Sequence, residues 1–97
     1  MTQYAEFLRQ DYRLVILRLL VEMTGYRANS SVLTMALDSY GHTLSRDQVK
    51  TELHWLAEQG ALTIADVGPV IVATLTERGQ DIAAGRARVP GIKRPGA

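Results

Sequence analysis

The stretch "LSRDQVKTELHWLAEQG", residues 44 to 60, fixes both ends of one helix and constrains what can surround it. Ser45 and Gln48 have the S-x-x-Q spacing of a capping box. The serine oxygen takes the backbone N–H three residues on, and the glutamine side chain reaches back to the N–H of the cap. Leu44 before the cap and Val49 at the fourth helical position are placed to form a hydrophobic staple, which sets the angle at which the chain enters the helix. Val49, Leu53 and Leu56 then share one inward stripe, and Gly60 stops the helix.

Upstream, residues 3 to about 23 read as helical, either as one helix or as two segments broken near Asp11. Within them "LVILRLLV" has seven apolar residues of eight, wider than the roughly 100° stripe of a simple amphipathic helix. Such a helix is either central to the core or meets a second subunit. In the second case Leu14, Val15, Leu17 and Val21 are the interface candidates for a homodimer. A second helix follows in "ANSSVLTMALDSYG", with Asn29 or Ser30 as cap, Leu33, Ala36, Leu37 and Tyr40 on a buried face, and Gly41 as stop.

After Gly60 the period changes. "LTIADV" alternates and "VIVATL" is β-branched and apolar, with Gly68 and Pro69 between them, so residues 62 to 75 are expected to form a β-hairpin. Thr76 caps a last helix ending near Gly85. "RARVPGIKRPGA" has two prolines and two glycines and little apolar content, which predicts an extended, flexible arm over 86–97 beyond a domain of residues 1–85.

Ninety-seven residues, 46% of them hydrophobic, suffice for one small core. With no cysteine, neither disulfides nor thiolate metal ligation can hold it. The start "MTQYAEFLRQD" has charges where a signal peptide needs an apolar core, and no apolar run reaches the ~18 residues of a membrane span, so a cytoplasmic chain with no membrane partner is expected. The formal net charge of +1 conceals an asymmetry: Arg86, Arg88, Lys93 and Arg94 follow residue 85 without an acid, leaving seven basic and ten acidic residues in 1–85.

Three helices, a hairpin and a closing helix, mainly α with a small β element, resemble a winged helix-turn-helix domain with a three-helix core, a two-stranded wing and a C-terminal helix. "SRDQVKTELHWLAEQGALT" is similar to recognition helices of bacterial winged-helix repressors. "LTERG" is similar to the segment after the wing in regulators of the multiple-antibiotic-resistance type. Together with "YAEFLRQDYRLVILRLL", "GYRAN", "HWLAEQG" and "VPGIKRP", the whole chain resembles small uncharacterised proteins of Mu-like prophages, some of them labelled arsenical-repressor-like. The resemblance implies a transcriptional regulator that binds double-stranded DNA in a sequence-dependent way. Arsenical-type sensors share a cysteine-bearing metal motif on the recognition helix, and without cysteine this chain has no such ligands, so no metal and no cofactor are expected.

With Val49, Leu53 and Leu56 inward, the 100° step turns Asp47, Thr51, His54 and Glu58 outward, with Lys50 on one flank and Trp55 on the other. DNA-reading helices bring their N-terminal side chains to base edges, and their free N–H groups favour phosphate. Ser45, Arg46, Lys50, Thr51 and His54 are therefore the contact candidates, and Arg86, Arg88, Lys93 and Arg94 are candidates for the phosphate backbone. Against this stand a helix of net −1 over 45–60 and a wing tip, "ADVGPV", ionised only at Asp66. These favour the alternative of a winged-helix protein-interaction adaptor in a phage life cycle, anchored by Trp55, which otherwise packs under the wing.

No catalytic role is expected. His42 and His54 lack carboxylates at ligand spacing. Ser30, Ser31 and Ser45 read as caps, and no glycine-rich phosphate loop is present. Tyr4, Tyr12, Tyr26 and Tyr40 read as residues at the edge of the core.

Overall fold

The computed structural model describes residues 3–96. Its elements are α1 (Gln3–Glu22), β1 (Arg27–Asn29), α2 (Ser30–Ser39), α3 (Arg46–Glu58), β2 (Leu62–Val67), β3 (Val70–Leu75) and α4 (Glu77–Ala84). This is the winged helix-turn-helix architecture, with one addition to the sequence reading. The hairpin of β2 and β3 gains β1 as a third antiparallel strand in the order β1-β3-β2, with Ala28 opposite Ala73 and Ile64 opposite Ala73 on the other side. Three residues, "RAN", carry too little pattern to announce a strand. Their pairing is fixed from outside by β3.

α1 runs unbroken through Asp11. Its apolar surplus is explained by its place at the centre, where it packs against α2, α4 and β3. Leu14, Ile16, Leu17, Leu19 and Leu20 are all buried within the single chain, and each such leucine gains about 1.5–3 kcal/mol over an exposed one. This corrects the dimer candidates, because Leu14 and Leu17 belong to the monomer's own core. Val15 is half-buried against it, and Val21 alone of the four is exposed.

Asn29 is the cap of α2, its Oδ1 accepting from Val32 N at 2.8 Å. Ser30 is turned inward instead, and its Oγ accepts from Ile71 N at 3.1 Å, tying α2 to the hairpin. Leu33 and Leu37 are fully buried, while Tyr40, expected on the same face, is the C-cap and lies exposed because the backbone leaves the helix there. The α3 capping box is complete in both directions, with Gln48 N donating to Ser45 Oγ at 3.0 Å and Ser45 N to Gln48 Oε1 at 2.9 Å.

The largest departure concerns residues 86–96. The flexible arm expected there is in fact a strap packed on the domain; Ala97 and the first two residues lie outside the described residues. Val89 and Ile92 are buried in the core cluster, and Lys93 N donates to Gln10 O at 3.0 Å. Few apolar residues suffice for docking when backbone groups find partners as well.

Candidate nucleic-acid interface

The first turns of α3 are open to solvent. Ser45, Arg46, Asp47, Gln48, Thr51 and His54 are exposed, while Val49, Leu53 and Leu56 are sealed in the core. Arg46, at the first helical position, has no side-chain partner among the described residues. Ser45 Oγ is engaged as the cap, and Thr51 Oγ1 donates to Asp47 O at 3.1 Å. Lys50 is half-buried and its Nζ donates to Pro69 O at 2.9 Å, which ties the helix to the tip of the hairpin and sets their spacing. An ammonium has two further protons for an anion beside it.

The charge of this surface differs from the sequence count because one acid is withdrawn. Glu52 is buried, and its Oε1 accepts from Arg13 Nε of α1 at 2.6 Å, with Tyr12 Oη donating to its Oε2 at 3.2 Å. With Glu52 neutralised from within, α3 shows solvent two cations, Arg46 and Lys50, and two acids, Asp47 and Glu58. Its outer face is neutral rather than acidic.

α1 adds a cation that sequence reasoning missed. A shallow cleft of about 360 Å³ runs between α1 and α3, lined by Arg9, Tyr12 and Arg13 on one side and Asp47, Gln48, Thr51 and Glu52 on the other. Arg9, half-buried and 3.4 Å from Glu6 Oε2, thus stands beside the early turns of α3. Nothing in "FLRQ" signals this, because the approach of residues some forty apart in sequence is made only by helix packing.

Trp55 is half-buried, with the Arg13 guanidinium stacked 3.8 Å over its ring and the backbone of Gly91 against it. It packs against Arg13 and the C-terminal strap rather than standing free on the surface. Gly91 has φ +98 and donates no side chain into this contact; a Cβ there would stand 3.0 Å from the indole. The hairpin tip is apolar, with Val67 54% exposed next to Gly68 and Pro69.

The strap uses two of its four cations internally. Arg86 Nε donates to Asp81 Oδ1 at 3.0 Å, and Lys93 Nζ to Asp11 Oδ1 at 3.2 Å, with its ammonium also over the Phe7 ring. Arg88 and Arg94 are exposed and have no partner among the described residues. They are the tail positions still open to phosphate.

No protein-family model matches the chain. It is 51% identical over 90 residues to gp26, an uncharacterised protein of Escherichia phage Mu, with 93% of each chain covered. The chain belongs to the gp26 family of phage Mu. A second relative from Haemophilus influenzae, also uncharacterised, is 50% identical over 76 residues, covering 77% of this chain and 74% of its own. Among solved structures, RosR of H. salinarum superposes with a TM-score of 0.64 at 19% identity, covering 75% of this chain and 66% of its own. A complex structure of hsRosR-S1 gives the same score over 64% of that chain. The gp26-family chain thus spans just under two thirds of the RosR chains, and the likeness carries the winged-helix fold alone. No helix among the described residues is long and apolar enough to cross a membrane, and no cluster of three or more potential metal ligands occurs among them.

In this gp26-family chain the strap is held at Asp11, whose Oδ2 lies 2.7 Å from His42 Nε2 while Oδ1 takes Lys93. Burial pushes the Asp11 carboxyl up, but hydrogen bonds from His42 and Lys93 together with their charges outweigh it and hold the group below its ordinary value of 3.8. Its folded pKa being depressed, its contribution is complete above 3.8 and is lost as pH falls through the lower folded value. Acid titration should therefore loosen the strap, seen as a red shift of the sole tryptophan, Trp55. The same shift below pH 3.8 in an Asp11→Asn chain would rule out this carboxylate as its cause.

Proposed function

We propose that this chain binds duplex DNA in a sequence-dependent way and acts as a phage or prophage transcriptional regulator. The first two turns of α3 enter the major groove, and Lys50 with the hairpin tip lies along the adjacent backbone. The observation that carries this reading is that Arg46, Thr51 and His54 stand uncovered on a helix whose opposite face is sealed in the core, with one of its three acids neutralised by Arg13. Such a rigid, open N-terminal end is the part of a helix that meets base edges and phosphates. Arg88 and Arg94 supply further positive charge for nonspecific attraction. Two chains related by a two-fold axis address half-sites about 34 Å apart.

Fluorescence anisotropy on mixed-sequence duplex at low and moderate salt tests the reading. Replacing Arg46 and Lys50 together with alanine is expected to weaken binding about 10-fold to 100-fold and to lower the slope of log K against log salt by about two. Replacing Arg88 and Arg94, which leaves the docked part of the strap intact, lowers the slope again. Affinity weaker than about 10⁻⁴ M at physiological salt in the unmodified protein sinks the DNA reading and moves the winged helix to a protein-docking role.

A further inference from the structure

We propose that the groove between α1 and α4 is the seat of a second copy of this chain, packed in a two-fold pair. The groove has a volume of about 540 Å³ and an apolar floor that includes Val15, Leu19 and Ala83. Tyr26 and Tyr40 also line it, 43% and 60% exposed, and Val21 extends the apolar surface along α1. Large rings left in solvent around an apolar concavity are what interface cores are made of.

Tyr26 is held there at a conformational cost. It has φ +57 directly after Gly25 at φ +70, and it is the one non-glycine residue among the described ones in the left-handed region. A bulky side chain rarely adopts that backbone. The chain turns this way between α1 and β1, and the result is a ring presented at the groove.

The charges on the wall select the occupant. Arg18 and Glu22 lie one turn apart on α1, both exposed, and neither has an ionic partner among the described residues. Arg86, also on the wall, is already paired with Asp81. A small ligand of one charge gains nothing from opposite signs side by side. A two-fold axis crossing α1 midway between them, in contrast, sets Arg18 of each copy against Glu22 of the other, and the contact is then made twice because residue i meets j and j meets i in an isologous interface. No residue of α3 or the hairpin lines the groove, so pairing leaves Arg46, Thr51 and His54 clear. The pairing does not depend on the DNA reading and is measured without DNA.

Sedimentation equilibrium from micromolar to hundreds of micromolar protein should show a reversible dimer. Arg18→Glu alone and Glu22→Arg alone each place like charges in both symmetric contacts, and each is expected to weaken pairing at least about tenfold. Mixing the two variants restores opposite charges at both contacts, so the mixture should dimerise as the unmodified chain does. That rescue also shows that both variants are folded. An unmodified chain that stays monomeric throughout overturns the proposal and leaves the groove to another occupant. A dimer indifferent to both reversals, or variants that fail to pair on mixing, overturns it equally.

Discussion

Replacing Arg13 with alanine should lower the stability of the domain by about 3–5 kcal/mol, the usual cost of leaving one member of a buried ion pair behind. Three contacts converge on this side chain. Its Nε meets Glu52 at 2.6 Å, one terminal nitrogen donates to Gly91 O at 3.1 Å, and the guanidinium plane covers Trp55. Alanine would strand the Glu52 carboxylate in the interior with only Tyr12 as donor, and it would remove one of the bonds that hold the strap to α1. Urea unfolding followed through Trp55 measures both, since the strap lies against that ring. Removing both charges, as in Arg13→Met with Glu52→Leu, should recover much of the loss because no buried charge is left unpaired. A loss under about 1 kcal/mol for Arg13→Ala would show that the pair is solvated in solution and that the strap is held by other contacts.

Gly79→Ala should cost about 3 kcal/mol or prevent folding, although the same exchange within a helix ordinarily gains about 1 kcal/mol. The sign is decided by a close approach. Thr76 Oγ1 caps α4 by accepting from Gly79 N at 3.0 Å, and the same turn presses on the start of β2, so a Cβ at residue 79 would overlap the Ala61 carbonyl oxygen and crowd Leu75. That carbonyl already accepts from Thr76 N at 3.1 Å, and displacing it breaks the junction between hairpin and helix. Thermal unfolding of the alanine variant provides the check. A melting temperature equal to or above that of the parent chain means that α4 can shift away, and the contact is then no constraint. The physical content of "LTERG" is thereby spelled out: a core leucine, a cap, and the one residue small enough for the approach.

The elements were largely legible because their signals are short-range. The capping box at Ser45 and Gln48, the Thr76 cap, the turn at Gly68 and Pro69 and the change of period after Gly60 each depend on groups within four residues of one another. The candidate site was legible as a set of exposed positions on α3, since the inward stripe of Val49, Leu53 and Leu56 dictates which side chains face out. Its charge was not. Glu52 falls beside the core stripe, and only the arrival of Arg13 from a residue thirty-nine positions away turns it into an interior group.

The same distance in sequence hid the remaining features. β1 exists because β3 is there to pair with it, and the wide apolar face of α1 was ambiguous until α2, α4 and β3 were seen to cover Leu14 and Leu17. The strap reads as disordered by composition, yet Val89 and Ile92 join the core and the Gly91 carbonyl accepts from Arg13 of α1, which composition cannot reveal. Sequence alone determined where α3, α4 and the two strands of the wing lie, because caps, turns and periodicity act through neighbouring backbone groups. Tertiary structure decided which charges face solvent, because burial and ion pairing depend on residues brought together only when the helices pack.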